Sequence, residues 1–194
     1  MKWRPRSPSK RMLHVKVRPL KLQGITINED YDEEEDDTKI LALEIIWKGS
    51  KPRLASFYIS SSSRHKRNRS SERVLGNRKP IEWNEEEFEN VCDFSVLSID
   101  SWDVLFNVLH GKNCGGNSKL AVAGKVSLDL AKLVPVTECS DVERKLPVAL
   151  NVDGVVVEAS LFILVSFVEV RGPTDMTEVP KTQPSQSRKM GSSK

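Results

Sequence analysis

The chain is patterned by short alternations of apolar and polar residues, and very few stretches keep a helical period. "LHVKVRPLKL" sets Val15 and Val17 against His14, Lys16 and Arg18, the period of a half-buried strand. Pro19 then moves the apolar phase to Leu20 and Leu22, which predicts a bulge or an edge position. "KILALEIIWKG" places Leu41, Leu43, Ile45 and Trp47 on one face, and "WDVLFNVLHG" does the same with Trp102, Val104, Phe106 and Val108. "RLASFYIS" is a weaker strand candidate. "PIEWNEEEFENVCDF" carries Trp83, Phe88 and Phe94 among acids and fits a short helix or an irregular strand. "LAVAGKVSLDLAKLVP" reads as a strand turning into one short helical turn that stops at Pro135. "ERKLPVAL" and "GVVVEASLFILVSFVEV" complete the set, the second apolar on both faces and therefore expected to be a central strand buried on both sides. Seven or eight strands with long loops and scarcely any helix imply an antiparallel β-sandwich.

At 194 residues the chain has room for one domain with a sizeable core and polar ends. Apolar residues are 38% and charged residues 29%, and the excess polarity is assigned to terminal arms and two internal loops. The formal net charge of +3 conceals segregation. Met1 to Gly24 holds basic residues and no acid, "EDYDEEEDD" from Glu29 to Asp37 holds acids and no base, and Lys48 to Lys79 is again basic, opposed only by Glu72. Such a dipolar chain can meet an anionic surface with one side while the acidic run stays in water.

Cys92, Cys114 and Cys139 are odd in number, widely spaced and without a CxxC, which argues against a disulfide framework or a zinc site and for a reducing compartment. No signal-peptide pattern or membrane-spanning run is present in the sequence, so a cytoplasmic protein, either cytosolic or peripheral at a membrane, is expected.

Six segments carry a resemblance. "KPIEWNEEEFENVCDF" looks like the C2-domain strand in which a Pro, a Trp, an Asn and an acid precede a Phe. "VAGKVSLDLAKL" resembles the late C2 segment in which a Gly opens a strand that ends in a helical turn. With "LHVKVRPLKLQGI", "IIWKGSKP", "WDVLFNVLHGK" and "EASLFILVSFVEVR" in this order, they resemble the N-terminal type of C2 domain found in plant and animal cytoskeletal and endocytic adaptor proteins, and a plant source is expected. The resemblance covers residues 11–172, leaving 1–10 as a basic flexible arm and 173–194 as a disordered polar tail. It implies an all-β, eight-stranded C2-like antiparallel sandwich that attaches a longer protein to a membrane or to a partner. The acidic run is longer than the family pattern, and family members continue well past this domain.

C2 domains that bind calcium gather several aspartates from two loops, because a hard cation needs six to eight oxygens. The corresponding loop here offers Asn107, His110, Gly111 and Lys112, with no carboxylate until Asp129. No metal site and no cofactor are therefore expected. No hydrolase elbow, phosphate loop or zinc spacing surrounds Cys92, His14, His65 or His110, so no enzymatic activity is expected either. Trp47, Trp83 and Trp102 read as core, whereas Trp3 stands between Lys2 and Arg4 in the basic arm, where it could insert at a membrane interface.

The remaining feature is the run "SSSSRHKRNRSSER". The C2 resemblance puts it beside a face that takes acidic lipid headgroups, which makes Lys48, Lys51, Arg53, Arg64, Lys66, Arg67, Arg69, Arg73, Arg78 and Lys79 the lipid-binding candidates. Arg67 and Ser70 have the spacing favoured by basophilic kinases, and Ser71 adjoins, so both serines are phosphorylation candidates. The expected partner is an anionic phospholipid membrane, with calcium-independent attachment. The alternative is a protein-interaction module for a cytoskeletal, trafficking, motor or small-GTPase partner, in which "LHVKVRPLKL" serves as an edge for strand addition. Nucleic acid ranks below both, because no aromatic residue lies among the cations from Ser60 to Lys79 to stack on bases.

Overall fold

The computed structural model describes residues 10–25, 38–52, 65–76, 79–95, 99–114, 117–134 and 141–170. The terminal arms, the acidic run and "RLASFYIS" lie outside these residues. Among the described residues ten strands follow in order: β1 Lys10–Gln23, β2 Thr38–Pro52, β3 Lys66–Arg69, β4 Arg73–Val74, β5 Ile81–Glu82, β6 Phe88–Ser95, β7 Ile99–Cys114, β8 Asn117–Asp129, β9 Asp141–Val152 and β10 Val155–Glu169. They form two antiparallel sheets. In the first, β5 and β6 both pair with one edge of β1, followed by β10 and β9; in the second, β3 and β4 both pair with one edge of β2, followed by β7 and β8. The ten strands thus occupy eight sheet positions, and the fold is the antiparallel sandwich that the alternation predicts.

The alternation of β1 buries Leu13, Val15 and Val17 and turns His14, Lys16 and Arg18 outward. A register shift falls between Pro19 and Lys21, as Pro19 predicts, and Leu22 returns to the core. Proline is tolerated because Val17 pairs with Phe88 of β6 and Lys21 with Glu82 of β5, so Pro19 stands where neither strand pairs. The expectation that this strand is an exposed edge is overturned, since β1 is flanked by β10 on one side and by β5 and β6 on the other.

"PIEWNEEEFENVCDF" resolves into two strands separated by a turn, with Trp83 fully buried between them. β8 runs into a single 3₁₀ turn, Leu130–Lys132, whose N-terminal cap is Asp129. Its carboxylate accepts from the backbone N–H groups of Ala131 at 3.1 Å and Trp102 at 2.9 Å, which ties the turn to β7. β10 is central but not sealed on both faces, because Leu161, Ile163, Val165 and Phe167 are buried while Phe162 and Leu164 opposite are half-buried.

One core fills the space between the sheets, built from Val15, Val17, Leu43, Ile45, Phe106, Leu150, Leu161, Phe167 and their neighbours. Trp47 and Trp102 meet edge to face at 6.2 Å, with Phe94 6.1 Å from Trp102. Ile40, Ala42, Ile46 and Leu109 are buried as well, in the alternate phase of β2 and β7 and outside that core.

Candidate functional site

From Lys66 onward the basic run is not a free loop. Lys66–Arg69 is an edge strand, and its register sets Arg67 beside Ile46 and Arg69 beside Glu44, on the face of β2 turned away from the core. Arg73 follows in β4 opposite Leu41. Their side chains are 63%, 48% and 43% exposed, so the edge presents three accessible guanidinium groups. Each has one carboxylate partner from outside the run or at its end: Arg67 with Glu44 at 3.3 Å, Arg69 with Glu72 at 2.9 Å and Arg73 with Glu86 at 3.6 Å. Three arginines of a stretch almost without counter-charge in sequence are therefore compensated in space. Glu44 lies in β2 and Glu86 in the β5–β6 turn, and no local sequence signal links either to the run.

The other candidates are dispersed. Lys66 donates its ammonium to the backbone carbonyl of Glu89 in β6 and so bridges the two sheets. Lys48 and Lys79 are exposed with no ion partner among the described residues, but they lie at opposite ends of the sandwich. Arg53, Arg64 and Arg78, and the side chain of Lys51, lie outside the described residues.

Ser70 ties the β3–β4 link to β2 of its own sheet, and Ser71 joins that link to the facing sheet. The Ser70 N–H donates to the Leu43 carbonyl at 2.8 Å, and its hydroxyl accepts from the Leu43 N–H at 2.8 Å and donates to the Ser71 carbonyl at 3.0 Å. Ser70 is buried, at 6% exposure, so kinase access to it would require lifting the strap formed by residues 65–76 from β2. Ser71 is exposed; its N–H donates to both Glu86 carboxylate oxygens at 3.0 and 3.2 Å, and its hydroxyl donates to one of them. The Trp83 indole N–H donates to the Ser71 carbonyl at 3.2 Å. Neighbouring Glu72, besides holding Arg69, accepts from the Ser118 hydroxyl of β8, at the opposite edge of the same sheet, at 2.7 Å.

The residues weighed for calcium do not converge. Asn107 stands in mid-strand and donates to Glu44 at 2.7 Å, and Asp129 is spent on the cap. His110 is buried, pairs with Leu41, and places Nδ1 3.9 Å from Asp153 of the β9–β10 turn, leaving Nε2 without a partner. Asp153 in turn meets the Lys39 ammonium at 2.7 Å. Burial holds the His110 pKa below its ordinary value despite Asp153, and Lys39 and His110 hold the Asp153 carboxyl low. This carboxylate, absent from the sequence reading, had one visible signal: an Asp-Gly pair between valines, the mark of a tight hairpin, with Asp153 at φ 51° and Gly154 at φ 84°. Among the described residues no group of three or more His, Cys, Asp or Glu is placed to hold a metal ion.

Cys92 is fully buried, and burial pushes its thiol up to about 12, the environment of a structural cysteine. His14 lies outward on β1 and pairs with Glu89 at 2.9 Å, and His65 is exposed at the start of the strap. Among the described residues no helix is long and apolar enough to cross a membrane.

No protein-family profile matches the chain, and no curated protein matches it in sequence. Among solved structures it is similar to human GIVD cytosolic phospholipase A2 in complex with methyl gamma-linolenyl fluorophosphonate, at 11% identity and a TM-score of 0.44 over 80% of this chain. A second structure of that enzyme, with the same inhibitor and terbium chloride, gives 11% identity and a TM-score of 0.41 over 82% of this chain. The chain spans 17% and 18% of the length of those two chains.

Proposed function

We propose that this chain is a non-catalytic, C2-like module that attaches a larger protein to anionic phospholipid at the cytoplasmic face of a membrane, without calcium. The observation that carries the reading is the exposure of Arg67, Arg69 and Arg73 at the β3–β4 edge, Arg67 and Arg69 on its outer face and Arg73, opposite Leu41, turned toward the facing sheet. Their ion pairs do not forbid it: an exposed pair contributes roughly 0.2–1 kcal/mol, while each cation at an anionic leaflet contributes about 1 kcal/mol. Exchange of carboxylate for lipid phosphate is therefore close to balanced or favourable for each arginine. Three such contacts correspond to a dissociation constant weaker than about 1 mM, so stable attachment draws on further cations, on a multivalent headgroup or on avidity from a second domain.

The test is co-sedimentation of the full chain with neutral vesicles and with vesicles containing phosphatidylserine or an inositol phospholipid, in calcium and in chelator. Binding is expected only to anionic vesicles, equally in both buffers, and is expected to collapse by about 0.5 M salt and in an Arg67→Ala/Arg69→Ala/Arg73→Ala variant. A chain that stays in the supernatant in every arm supports the second reading, a protein-interaction module. What favours that reading is that each arginine already has a carboxylate partner. Strand addition would then use the outer edge of β9 rather than β1, which is enclosed.

A further inference from the structure

We infer that Ser71 is a phosphorylation site at which the phosphate displaces Glu86 and takes over Arg73. Glu86 now occupies an anion position built by three groups: the Ser71 N–H, the Ser71 hydroxyl and the Arg73 guanidinium. Ser71 lies in the exposed link between β3 and β4, with Arg69 two residues and Arg67 four residues before it, so both the hydroxyl and basic flanking residues are open to an arginine-directed kinase. Ser70, which the Arg67-x-x-Ser70 spacing favours over Ser71, is withdrawn by its paired hydrogen bonds to Leu43.

Transfer of the terminal phosphoryl group of a nucleoside triphosphate forms the Ser71 Oγ–P bond and breaks the bond to the β-phosphate oxygen. The hydroxyl proton passes to the kinase's general base, and the nucleoside diphosphate leaves. The hydroxyl that donated to Glu86 is then gone, and about 1.5 to 2 negative charges stand against the carboxylate. Repulsion expels Glu86, which sits in a turn and can swing into water, while Arg73 finds stronger acceptors in the phosphate. The consequence for lipid rests on the reading above. Glu44, Glu72 and Glu86 formally balance the three arginines, so an added dianion makes the edge net negative and repels an anionic leaflet.

The experiment treats the full chain with an arginine-directed kinase and a nucleoside triphosphate, maps the phosphate by fragmentation mass spectrometry, and uses Ser71→Ala as the control. The Trp83 indole N–H resonance reports on the site independently of lipid, because it is bonded to the Ser71 carbonyl. The expected result is one phosphate on Ser71, a shifted Trp83 resonance and a vesicle-bound fraction lower by about tenfold or more. A phosphate mapped to Ser70, or a Ser71 phosphate that leaves the Trp83 resonance in place, overturns the inference. Failure of the unmodified chain to bind any vesicle counts against the lipid reading alone, since the mapping and the Trp83 resonance still decide the site.

Discussion

Ser70 and Leu43 exchange two hydrogen bonds, from the Leu43 N–H to the serine hydroxyl and from the serine N–H back to the Leu43 carbonyl, each at 2.8 Å. The pair fastens the link between β3 and β4 to the centre of β2, where the short strands leave a gap in the ladder. Ser70→Ala strands the Leu43 N–H in a buried position, and an unsatisfied buried donor costs about 1–3 kcal/mol. Urea unfolding followed by tryptophan fluorescence should show a lower midpoint with an unchanged slope. Ser71→Ala, at an exposed site, should shift it less.

The strands were legible because their alternation is local. A one-sided apolar period fixes β1, β2 and β7 without reference to the rest of the chain, and Pro19 marks its own bulge. The neighbours of each strand were not legible, since pairing depends on topology: "LHVKVRPLKL" reads equally well as an edge or as the enclosed strand that it is. The same limit applies to charge. Glu44 and Arg67 are 23 residues apart in sequence, and Lys16 and Glu87 are 71 apart, so only the fold reveals that these cations have carboxylate partners. Sequence spacing favours Ser70 over Ser71 for a kinase, yet the strap buries Ser70 and exposes Ser71.

Gly124 marks a close approach between the sheets. A Cβ built there would stand 2.5 Å from the Ala149 carbonyl oxygen and 2.5 Å from the Leu150 side chain, both in β9. Backbone cannot yield as a flexible side chain can, so Gly124→Ala should cost roughly 1–3 kcal/mol and Gly124→Val more. Thermal melts of the two variants would rank them. A Gly124→Val protein as stable as the parent would mean that β8 does not press on β9 in solution.

Cys92 should be inert in the folded protein. Its thiol is buried and pushed up to about 12, which leaves almost no thiolate at neutral pH. Timed alkylation read by peptide mass spectrometry should modify Cys92 only after denaturant is added. Labelling in native buffer at the rate of the denatured chain would place the thiol at the surface and contradict the packing of β6 on β1.

His110 gives the chain a specific dependence on pH. Its pKa is lowered from 6.5, chiefly by burial, with Lys39 acting in the same direction and Asp153 opposing. Asp153 and Lys39 face it from the β9–β10 turn and β2, and Lys112 acts on Asp153 from β7. The unfolded chain therefore takes up the histidine proton first, and stability falls with pH, beginning near 6.5 and continuing down to the folded pKa. One proton sets a limiting slope of about 1.4 kcal/mol per pH unit. His110→Gln removes the titrating group, so the stability difference between wild type and variant should be constant above neutrality and move in favour of the variant as the solution is acidified. Urea midpoints at several pH values measure this directly, and a variant that retains the full wild-type slope would assign the acid sensitivity to other groups.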